Sequence, residues 1–291
     1  MLDKSDVFSI HHAKYGWLLM TTYSGNKIFF FNPLTTEKIE IPDLPERKVR
    51  GLCFTSLPTS SNCSVFGIYD VVGYHSVYHI RRGEKDWTKI VIPEANVGDE
   101  ELTPFSTPLF HKGVFYWIWR SDNICAYDPR KGEVEFLVDP KCPCRYVHMS
   151  YLFESEGKLL SVWVGRHGKW IQVHELDEAS VTWKKVTTLG NKVVFLSRNS
   201  SLVIDCLEMS GFEDMIYFNR FIGNNRPIFY SRKTGELGVY GGGHHVIQNF
   251  CDIPEYMLKS AWIKPNSKQH SVRELSWDDV VFNISQLFVT H

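Results

Sequence analysis

Residues 27–42 read KIFFFNPLTTEKIEIP, and residues 123–138 read NICAYDPRKGEVEFLV. Each segment places a polar turn between two apolar runs, a pattern that predicts a β-hairpin. Asn32-Pro33 and Asp128-Pro129 hold the same place in the two hairpins and are 96 positions apart. The match predicts that one structural unit recurs along the chain.

A second pair of segments repeats with the same spacing. Residues 76–92 read SVYHIRRGEKDWTKIVI and residues 170–186 read WIQVHELDEASVTWKKV, and Trp87 and Trp183 in these segments are also 96 positions apart. Two independent markers with one period predict a two-blade unit with about 48 residues in each blade, as in a β-propeller. We expect Trp87 and Trp183 to pack between blades, and we take Trp17 as a further blade marker.

The repeats predict an all-β β-propeller with about five recognisable four-stranded blades and a partial closing blade, so five to six blades. Because an open ring leaves unpaired backbone groups, a closing strand is expected, and residues 260–264 (SAWIK) are the candidate. The propeller domain is predicted at residues 1–265, followed by a weakly ordered C-terminal tail at 266–291. The five blades are predicted at residues 7–44, 50–93, 105–139, 147–188 and 193–241.

The composition limits the class of protein. The 291 residues are 43% hydrophobic and carry a formal net charge of -1, so they provide no basic field for nucleic acid. No apolar run reaches the roughly 18 residues of a membrane helix, so no membrane partner is expected. Residues 1–6 are polar and lack the apolar core of a signal peptide, which predicts a cytoplasmic or nuclear location. The seven cysteines are then expected to be free thiols.

No local motif predicts catalysis, a metal or a cofactor. His11-His12 and His244-His245 resemble metal ligands, but neighbouring residues on a strand point to opposite faces. Cys142 and Cys144 have no second cysteine pair at zinc-finger spacing, and residues 241–243 (GGG) lack a phosphate-loop frame. We therefore predict no catalytic, metal-binding or cofactor-binding residue and no enzymatic activity, although a triad assembled from distant blades stays open.

Four residues are candidates for contact with a partner. Trp117 and Trp119 lie on an aromatic-rich run, so a place between blades and a place on a rim are both open to them. Arg81 and Arg82 lie at a predicted turn, where their charges are solvated.

Several segments, in order along the chain, resemble the plant KIB-type β-propeller domain, which is associated with F-box proteins. The resemblance extends over roughly residues 8–265. It rests on Gly16-Trp17-Leu18-Leu19, Phe31-Asn32-Pro33-Leu34-Thr35, Val91-Ile92-Pro93, His111-Lys112-Gly113-Val114-Phe115-Tyr116, Trp183-Lys184-Lys185-Val186 and Ile216-Tyr217-Phe218.

The resemblance implies a non-enzymatic protein-interaction module, similar to the substrate-recognition propeller of F-box proteins in SCF-type ubiquitin ligases. Its partner would be a ubiquitylation substrate or a signalling protein such as a kinase. The F-box of the family is not matched, because Met1 opens directly on the propeller, so binding of the ligase adaptor is not expected. Two alternatives remain: a small-ligand or enzymatic site in the central channel, and a degenerate fragment without activity.

Overall fold

Tight turns close the first hairpin of three blades. In the computed structural model, Tyr15-Gly16, Lys112-Gly113 and Glu156-Gly157 have positive φ at both positions. This geometry matches the twist of two antiparallel strands, and it favours glycine because a Cβ is strained there. Each turn therefore fixes the register of the hairpin that it closes, as in the pairing of Lys14 with Trp17.

Side chains of the repeat markers organise the outer hairpins. Asn32 Oδ1 accepts hydrogen bonds from the backbone N–H groups of Leu34 (3.0 Å) and Thr35 (3.2 Å). In the equivalent hairpin, Asp128 Oδ1 accepts from the N–H of Arg130 at 2.9 Å. A short side chain whose oxygen accepts a hydrogen bond from a backbone N–H two or three residues later stabilises the turn. Both Asn and Asp can make this bond, which explains why one hairpin has Asn and the other has Asp at this position. Pro33 and Pro129 occupy the turns that follow.

The structure describes residues 8–22, 26–46, 49–71, 74–93, 107–119, 123–137, 147–206, 211–222, 226–241, 250, 261–263 and 282–283. Blade 1 contains β1 (Phe8–Lys14), β2 (Trp17–Thr22), β3 (Ile28–Phe31) and β4 (Lys38–Ile41). Blade 2 contains β5 (Val49–Phe54), β6 (Ser64–Val71), β7 (Tyr74–Arg81) and β8 (Thr88–Ile92). Blade 3 contains β9 (Leu109–His111), β10 (Val114–Trp119), β11 (Asn123–Asp128) and β12 (Glu133–Leu137).

Blade 4 contains β13 (Val147–Ser155), β14 (Lys158–Gly165), β15 (Ile171–Asp177) and β16 (Thr182–Lys185), with a 3₁₀ turn at Arg166–Gly168. Blade 5 contains β17 (Lys192–Leu196), β18 (Ser201–Asp205), β19 (Met215–Ile222), β20 (Arg226–Ser231) and β21 (Glu236–Val239). Two short strands follow, β22 (Trp262–Ile263) and β23 (Phe282–Asn283). The predicted all-β propeller with five blades and a closing segment is thus confirmed.

Blade 5 differs from the expected four strands because β17 lies between β18 and β19. It pairs antiparallel with β18 and parallel with β19. The N–H of Leu189 donates to Asp214 Oδ1 at 2.8 Å, and the N–H of Asp214 donates to the carbonyl of Lys192 at 2.9 Å. The chain therefore enters blade 5 beside the start of β19, and β17 runs in the same direction as β19.

The ring is closed by β22. The inner strands contact one another in the order β1, β5, β9, β13 and β18, and β22 contacts both β18 and β1. This strand lies within the predicted closing segment, residues 260–264. Residues 282–283, within the tail predicted at 266–291, pair with it as β23. The other residues of that tail lie outside the described part of the chain.

Alternating side chains of the closing strand bind the two neighbouring blades. Ala261 and Ile263 pack in a cluster with blade 1 residues, including Leu18 and Met20. Trp262 points the other way, and its ring centroid lies 5.2 Å from that of Phe195 in blade 5. Its indole N–H donates to the carbonyl of Leu196 at 3.0 Å. Because successive residues of a strand face opposite sides, two residues suffice to join both blades.

The hydrophobic core is divided among the blade interfaces. Trp17 is buried between blades 1 and 2, where Trp87 packs against the same cluster and donates its indole N–H to the carbonyl of Pro42 at 3.0 Å. Trp183 packs between blades 3 and 4, with its ring centroid 5.7 Å from that of Trp163. The tryptophan markers therefore lie at the joints between sheets.

The four described cysteines (Cys53, Cys63, Cys125 and Cys206) are buried free thiols. Cys142, Cys144 and Cys251 lie outside the described residues. Among the described residues, no helix has the length and apolar character needed to cross a membrane.

Three of the buried histidines lie on strands of blades 1, 2 and 4. Burial lowers the pKa of His12 to about 3 and the pKa values of His79 and His174 to about 4 from an ordinary 6.5. His12 Nδ1 accepts a hydrogen bond from the N–H of Phe54 at 3.2 Å and so links β1 to β5. These side chains are therefore neutral in the folded protein near neutral pH.

We predict that the protein loses stability between pH 7 and pH 5. In this window the unfolded chain protonates these histidines, whose pKa values are lowered in the folded state, so each destabilises the fold by up to about 1.4 kcal/mol per pH unit. His12→Asn keeps an acceptor near Nδ1 but does not titrate, so its melting temperature should fall less over the same range. Circular dichroism melts at pH 7.5, 6 and 5 measure this, and identical slopes for both proteins would contradict it.

Ring closure predicts the most sensitive stability variant. Trp262→Ala removes an aromatic contact and leaves a buried carbonyl unpaired, so the free energy of unfolding should fall by about 3–5 kcal/mol. Val91→Ala, on the outermost strand of blade 2, should change it by less than about 0.5 kcal/mol because Val91 is 66% exposed. Urea denaturation measures both, and equal effects would argue against closure by β22.

Candidate interaction surface

A turn of blade 5 crosses the centre of the ring. The N–H of Ala13 in blade 1 donates to the carbonyl of Asn199 at 2.9 Å, and the N–H of Thr107, just before blade 3, donates to that of Arg198 at 3.0 Å. Ser200 Oγ accepts from the N–H of Trp262 at 2.8 Å. Because blade 3 does not adjoin blade 5, a turn that binds it must reach across the axis. Residues 197–200 thus occupy space that a site in the central channel would need.

One face of the ring carries the hairpin turns. In blades 1 to 4, the turn between the first and second strands and the turn between the third and fourth strands emerge on the same side, since adjacent strands are antiparallel. We call this side the hairpin face. In blades 2 and 3 it includes residues 55–63, 82–87, 112–113 and 129–132.

Two exposed apolar side chains lie on the hairpin face. Among the described residues, the large hydrophobic side chains that are exposed are Tyr15 (46%), Leu57 (39%) and Val91 (66%). Tyr15 is in the turn between β1 and β2, and Leu57 is in the loop between β5 and β6. Lys14 Nζ lies 5.0 Å from the centre of the Tyr15 ring. Exposed aromatic and aliphatic side chains on one rigid face are typical of protein contact sites.

Arg81 and Arg82 lie on the same face. Both are exposed, at the turn that joins β7 to β8. Glu84 Oε2 accepts a hydrogen bond from the N–H of Arg81 at 2.7 Å, which closes the turn, and Arg82 donates to the carbonyl of Pro58. Arg81 lines clefts on both sides of blade 2. Both arginines are therefore placed where a partner could reach them.

Trp117 and Trp119 are not on the surface, which corrects their selection as partner contacts. They are 0% and 5% exposed, and both pack between blades 2 and 3. The ring of Trp117 lies 5.6 Å from that of Phe66, and the ring of Trp119 lies 5.4 Å from that of Phe136. The intervening Ile118 packs against blade 4. Both faces of β10 are covered by neighbouring blades, so its tryptophans serve the core.

A cleft on the hairpin face separates blades 2 and 3. Its volume is about 470 Å³, and Arg81 and Arg130 line it beside Phe110 and Asn62. A cleft of about 210 Å³ separates blades 1 and 2, with Arg82 and Glu84 at its edge. A third, of about 380 Å³, separates blades 3 and 4. The rim therefore presents a series of grooves between rigid sheets.

Arg130 is held in place at the edge of the cleft between blades 2 and 3. Its Nε donates to Asp128 Oδ1 at 2.9 Å and its second terminal nitrogen donates to Asp128 Oδ2 at 2.8 Å. The paired guanidinium lowers the pKa of Asp128 to about 2. The guanidinium carbon also lies 3.7 Å from the position that a Cβ would take at Gly113, so it rests against the neighbouring turn.

A buried histidine lies in the wall of this cleft. His79 is 5% exposed and packs edge-on against Phe115, with ring centroids 6.2 Å apart. Its Nε2 and Ser56 Oγ are buried and find no hydrogen-bond partner among the described residues. Burial, with a contribution from Arg81, lowers the pKa of His79 to about 4, so the ring is neutral at physiological pH.

The side chains of His11 and His12 form hydrogen bonds within the fold. His11 Nε2 is 2.8 Å from Thr21 Oγ1, and His12 accepts from the backbone of Phe54. No group of three or more His, Cys, Asp or Glu residues that could hold a metal occurs in the described part of the chain. His244-His245 and residues 242–243 of the glycine run lie outside it.

Sequence reasoning missed three residues of the hairpin face. Tyr15 precedes a glycine between two strands, and an aromatic side chain at the tip of a two-residue turn has no sheet to pack on. Leu57 stands alone among polar residues in a loop. Arg130 follows the marker pair Asp128-Pro129, but its proximity to Arg81 arises from blade packing, which no local pattern contains.

Comparison with known proteins agrees with this architecture. The KIB1-4 beta-propeller family model matches residues 2–241. An F-box/kelch-repeat protein of Arabidopsis thaliana is 26% identical over 273 residues, covering 91% of this chain and 74% of the relative. An Arabidopsis F-box protein is 26% identical over 236 residues, covering 80% of this chain and 63% of the relative. Another F-box/kelch-repeat protein is 26% identical over 233 residues, with 75% and 60% covered.

Solved structures with similar folds are more distant. The beta-propeller domain of Cps50 (Swd1) from Myceliophteria thermophila has a TM-score of 0.48 and 11% identity, with 82% of this chain and 74% of that chain covered. A streptogramin B lyase has a TM-score of 0.41 and 13% identity, with 85% and 86% covered. The family model, by contrast, matches most of the chain, from residue 2 to residue 241. The chain belongs to the KIB1-4 beta-propeller family.

Proposed function

We propose that the chain is a non-enzymatic protein-recognition module that binds its partner with the hairpin face. The observation that carries the proposal is the meeting of exposed Tyr15, Leu57, Arg81 and Arg82 on one rigid rim. Rigid scaffolds that present turns from several sheets on one side suit protein recognition, and Tyr and Arg are enriched among the residues that dominate binding energy.

The relatives support a more specific role for the partner. Their names describe F-box and F-box/kelch-repeat proteins. We propose that the propeller selects the protein to be ubiquitylated by an SCF-type ligase, and that it works in the cytoplasm or nucleus. A ubiquitylation substrate or a signalling protein such as a kinase is then the expected partner. The chain spans 60 to 74% of the length of these relatives, so this role belongs to the proposal.

The position of residues 197–200 weighs against a function in the central channel. Their backbone carbonyls are bonded to blade 1 and to the start of blade 3, so a small ligand on the axis would have to displace them. Displacement would also free the N–H of Trp262 from Ser200 and so weaken ring closure. The rim, in contrast, offers clefts without breaking a hydrogen bond.

The proposal predicts that partner capture depends on two exposed side chains. Tyr15→Asn removes the ring and suits the positive φ at this position (56°), and Leu57→Ser removes the second apolar contact. Together they should reduce capture of a partner from plant lysate by at least tenfold, because loss of a buried aromatic anchor costs about 2 kcal/mol or more. Quantitative mass spectrometry of the captured proteins measures this.

Val91→Ser is the matched control. Val91 is also an exposed apolar residue, but it lies on the outer strand of blade 2, away from the hairpin face. This variant should capture the same partner within twofold of the unmodified chain. A partner that binds the double variant as well as it binds the unmodified chain would refute recognition by the hairpin face, provided that all three proteins melt within a few degrees of one another.

A further inference from the structure

We propose that the cleft between blades 2 and 3 binds a phosphorylated serine or threonine of the partner protein. This inference rests on the proposed function, because it names the chemistry that the hairpin face recognises. The cleft has a volume of about 470 Å³ and opens between the hairpin turns of the two blades. That space accommodates a phosphorylated side chain and the peptide backbone on either side of it.

The charge of the cleft is the first argument. Among the described residues that line it, the charged side chains are Arg81 and Arg130. A guanidinium presents up to five N–H donors, and Asp128 uses two of those of Arg130. Arg130 thus keeps donors for a ligand while its position is fixed, and the neighbouring Arg81 is exposed. Planar, pre-positioned guanidinium groups suit the several oxygens of a phosphate.

The adjacent cleft shows that this charge pattern is not general for the face. Between blades 3 and 4, each lining lysine pairs with a lining carboxylate. Lys112 lies 2.7 Å from Glu178, Lys158 lies 3.0 Å from Glu175, and Lys184 pairs with Asp177. That cleft is electrically balanced within itself, whereas the charged groups lining the cleft between blades 2 and 3 are cations only.

Buried polar atoms are the second argument. His79 Nε2 and Ser56 Oγ belong to lining residues and have no hydrogen-bond partner among the described residues. A buried polar group without a partner destabilises the fold, so its persistence indicates a ligand or water that satisfies it. Ser61 and Asn62, on the loop between β5 and β6, add exposed polar groups at the mouth. A phosphate ester can accept hydrogen bonds from all of these donor types.

The wall formed by the loop between β5 and β6 is pre-formed. The N–H of Ser64 donates to Thr55 Oγ1 at 3.0 Å, and the N–H of Cys63 donates to the carbonyl of Ser60 at 3.1 Å. These bonds fold the loop between β5 and β6 back on itself. Phe110, which is half-buried, gives the cleft an apolar surface for the methylene groups of the bound peptide. Little ordering is then required when the peptide binds, which favours affinity.

The test uses fluorescein-labelled degenerate peptide libraries with one fixed central residue: phosphoserine, serine or glutamate. Fluorescence anisotropy should show at least tenfold tighter binding of the phosphoserine library than of the serine library. Arg81→Gln should abolish that preference. Lys85→Gln removes a positive charge from the same hairpin without lining the cleft, so it should bind within twofold of the unmodified chain.

A second measurement reports on the cleft directly. In NMR spectra of the imidazole groups, titration with O-phosphoserine should shift the resonances of His79 but not those of the buried His174 in blade 4. The proposal is overturned if the phosphoserine and serine libraries bind equally, or if Arg81→Gln binds as the unmodified chain does. A uridine oligonucleotide that binds more tightly than the phosphoserine library, in an Arg81-dependent manner, would also overturn it.

Failure of this inference is distinguishable from failure of the proposed function. If Tyr15→Asn with Leu57→Ser abolishes partner capture while Arg81→Gln and phosphatase treatment of the lysate do not change it, the face binds a partner without using phosphate. That outcome overturns the phosphate site and leaves the recognition module intact. Loss of capture after phosphatase treatment and with Arg81→Gln, but not with Lys85→Gln, supports both.

Discussion

Closure of the ring is the constraint on which the other features of this propeller depend. A row of sheets buries its faces only if the last sheet meets the first, and here the meeting is made through β22. Trp262 packs on blade 5 while Ala261 and Ile263 pack on blade 1. Without this strand the apolar faces of both blades would be exposed, so the stability of the neighbouring interfaces is coupled to it.

Blade 5 has one strand more than the other blades. The hairpin of β17 and β18 brings residues 197–200 to the axis, where they bind blade 1, blade 3 and the closing strand. Its base is anchored by Asp214, which accepts from Leu189 and lies 3.4 Å from the buried guanidinium of Arg232. Removing one partner of a buried ion pair costs about 3–5 kcal/mol, so this pair stabilises the base of the hairpin of β17 and β18. With residues 197–200 at the axis, the clefts between blades remain open on the rim.

Periodicity predicted the fold, but contacts between blades were hidden from it. Asn32 and Asp128 each accept hydrogen bonds within their own turn, so the sequence alone shows their repeat spacing. The direction of β17 depends on the hydrogen bond from the N–H of Leu189 to Asp214, and no sequence repeat contains this contact. The prediction that Trp117 and Trp119 contact a partner is wrong because it depended on packing between blades. Alternation places side chains on two faces of a strand, but only the packed ring shows that both faces are covered. Arg81 and Arg82 are exposed, as the sequence predicted for residues of a turn.

Residue type, rather than position within a blade, determines which charges are available for recognition. Arg130 and Lys184 occupy outer hairpins of neighbouring blades, and each pairs with an aspartate of its own hairpin, Asp128 or Asp177. The ammonium group of Lys184 is paired with Asp177. Arg130 uses one edge of a planar group and keeps the other edge for a ligand. The cleft between blades 2 and 3 is therefore cationic, unlike the balanced cleft between blades 3 and 4, because of guanidinium geometry. In addition, its described lining has no carboxylate, and His79 and Ser56 contribute buried polar atoms to its wall.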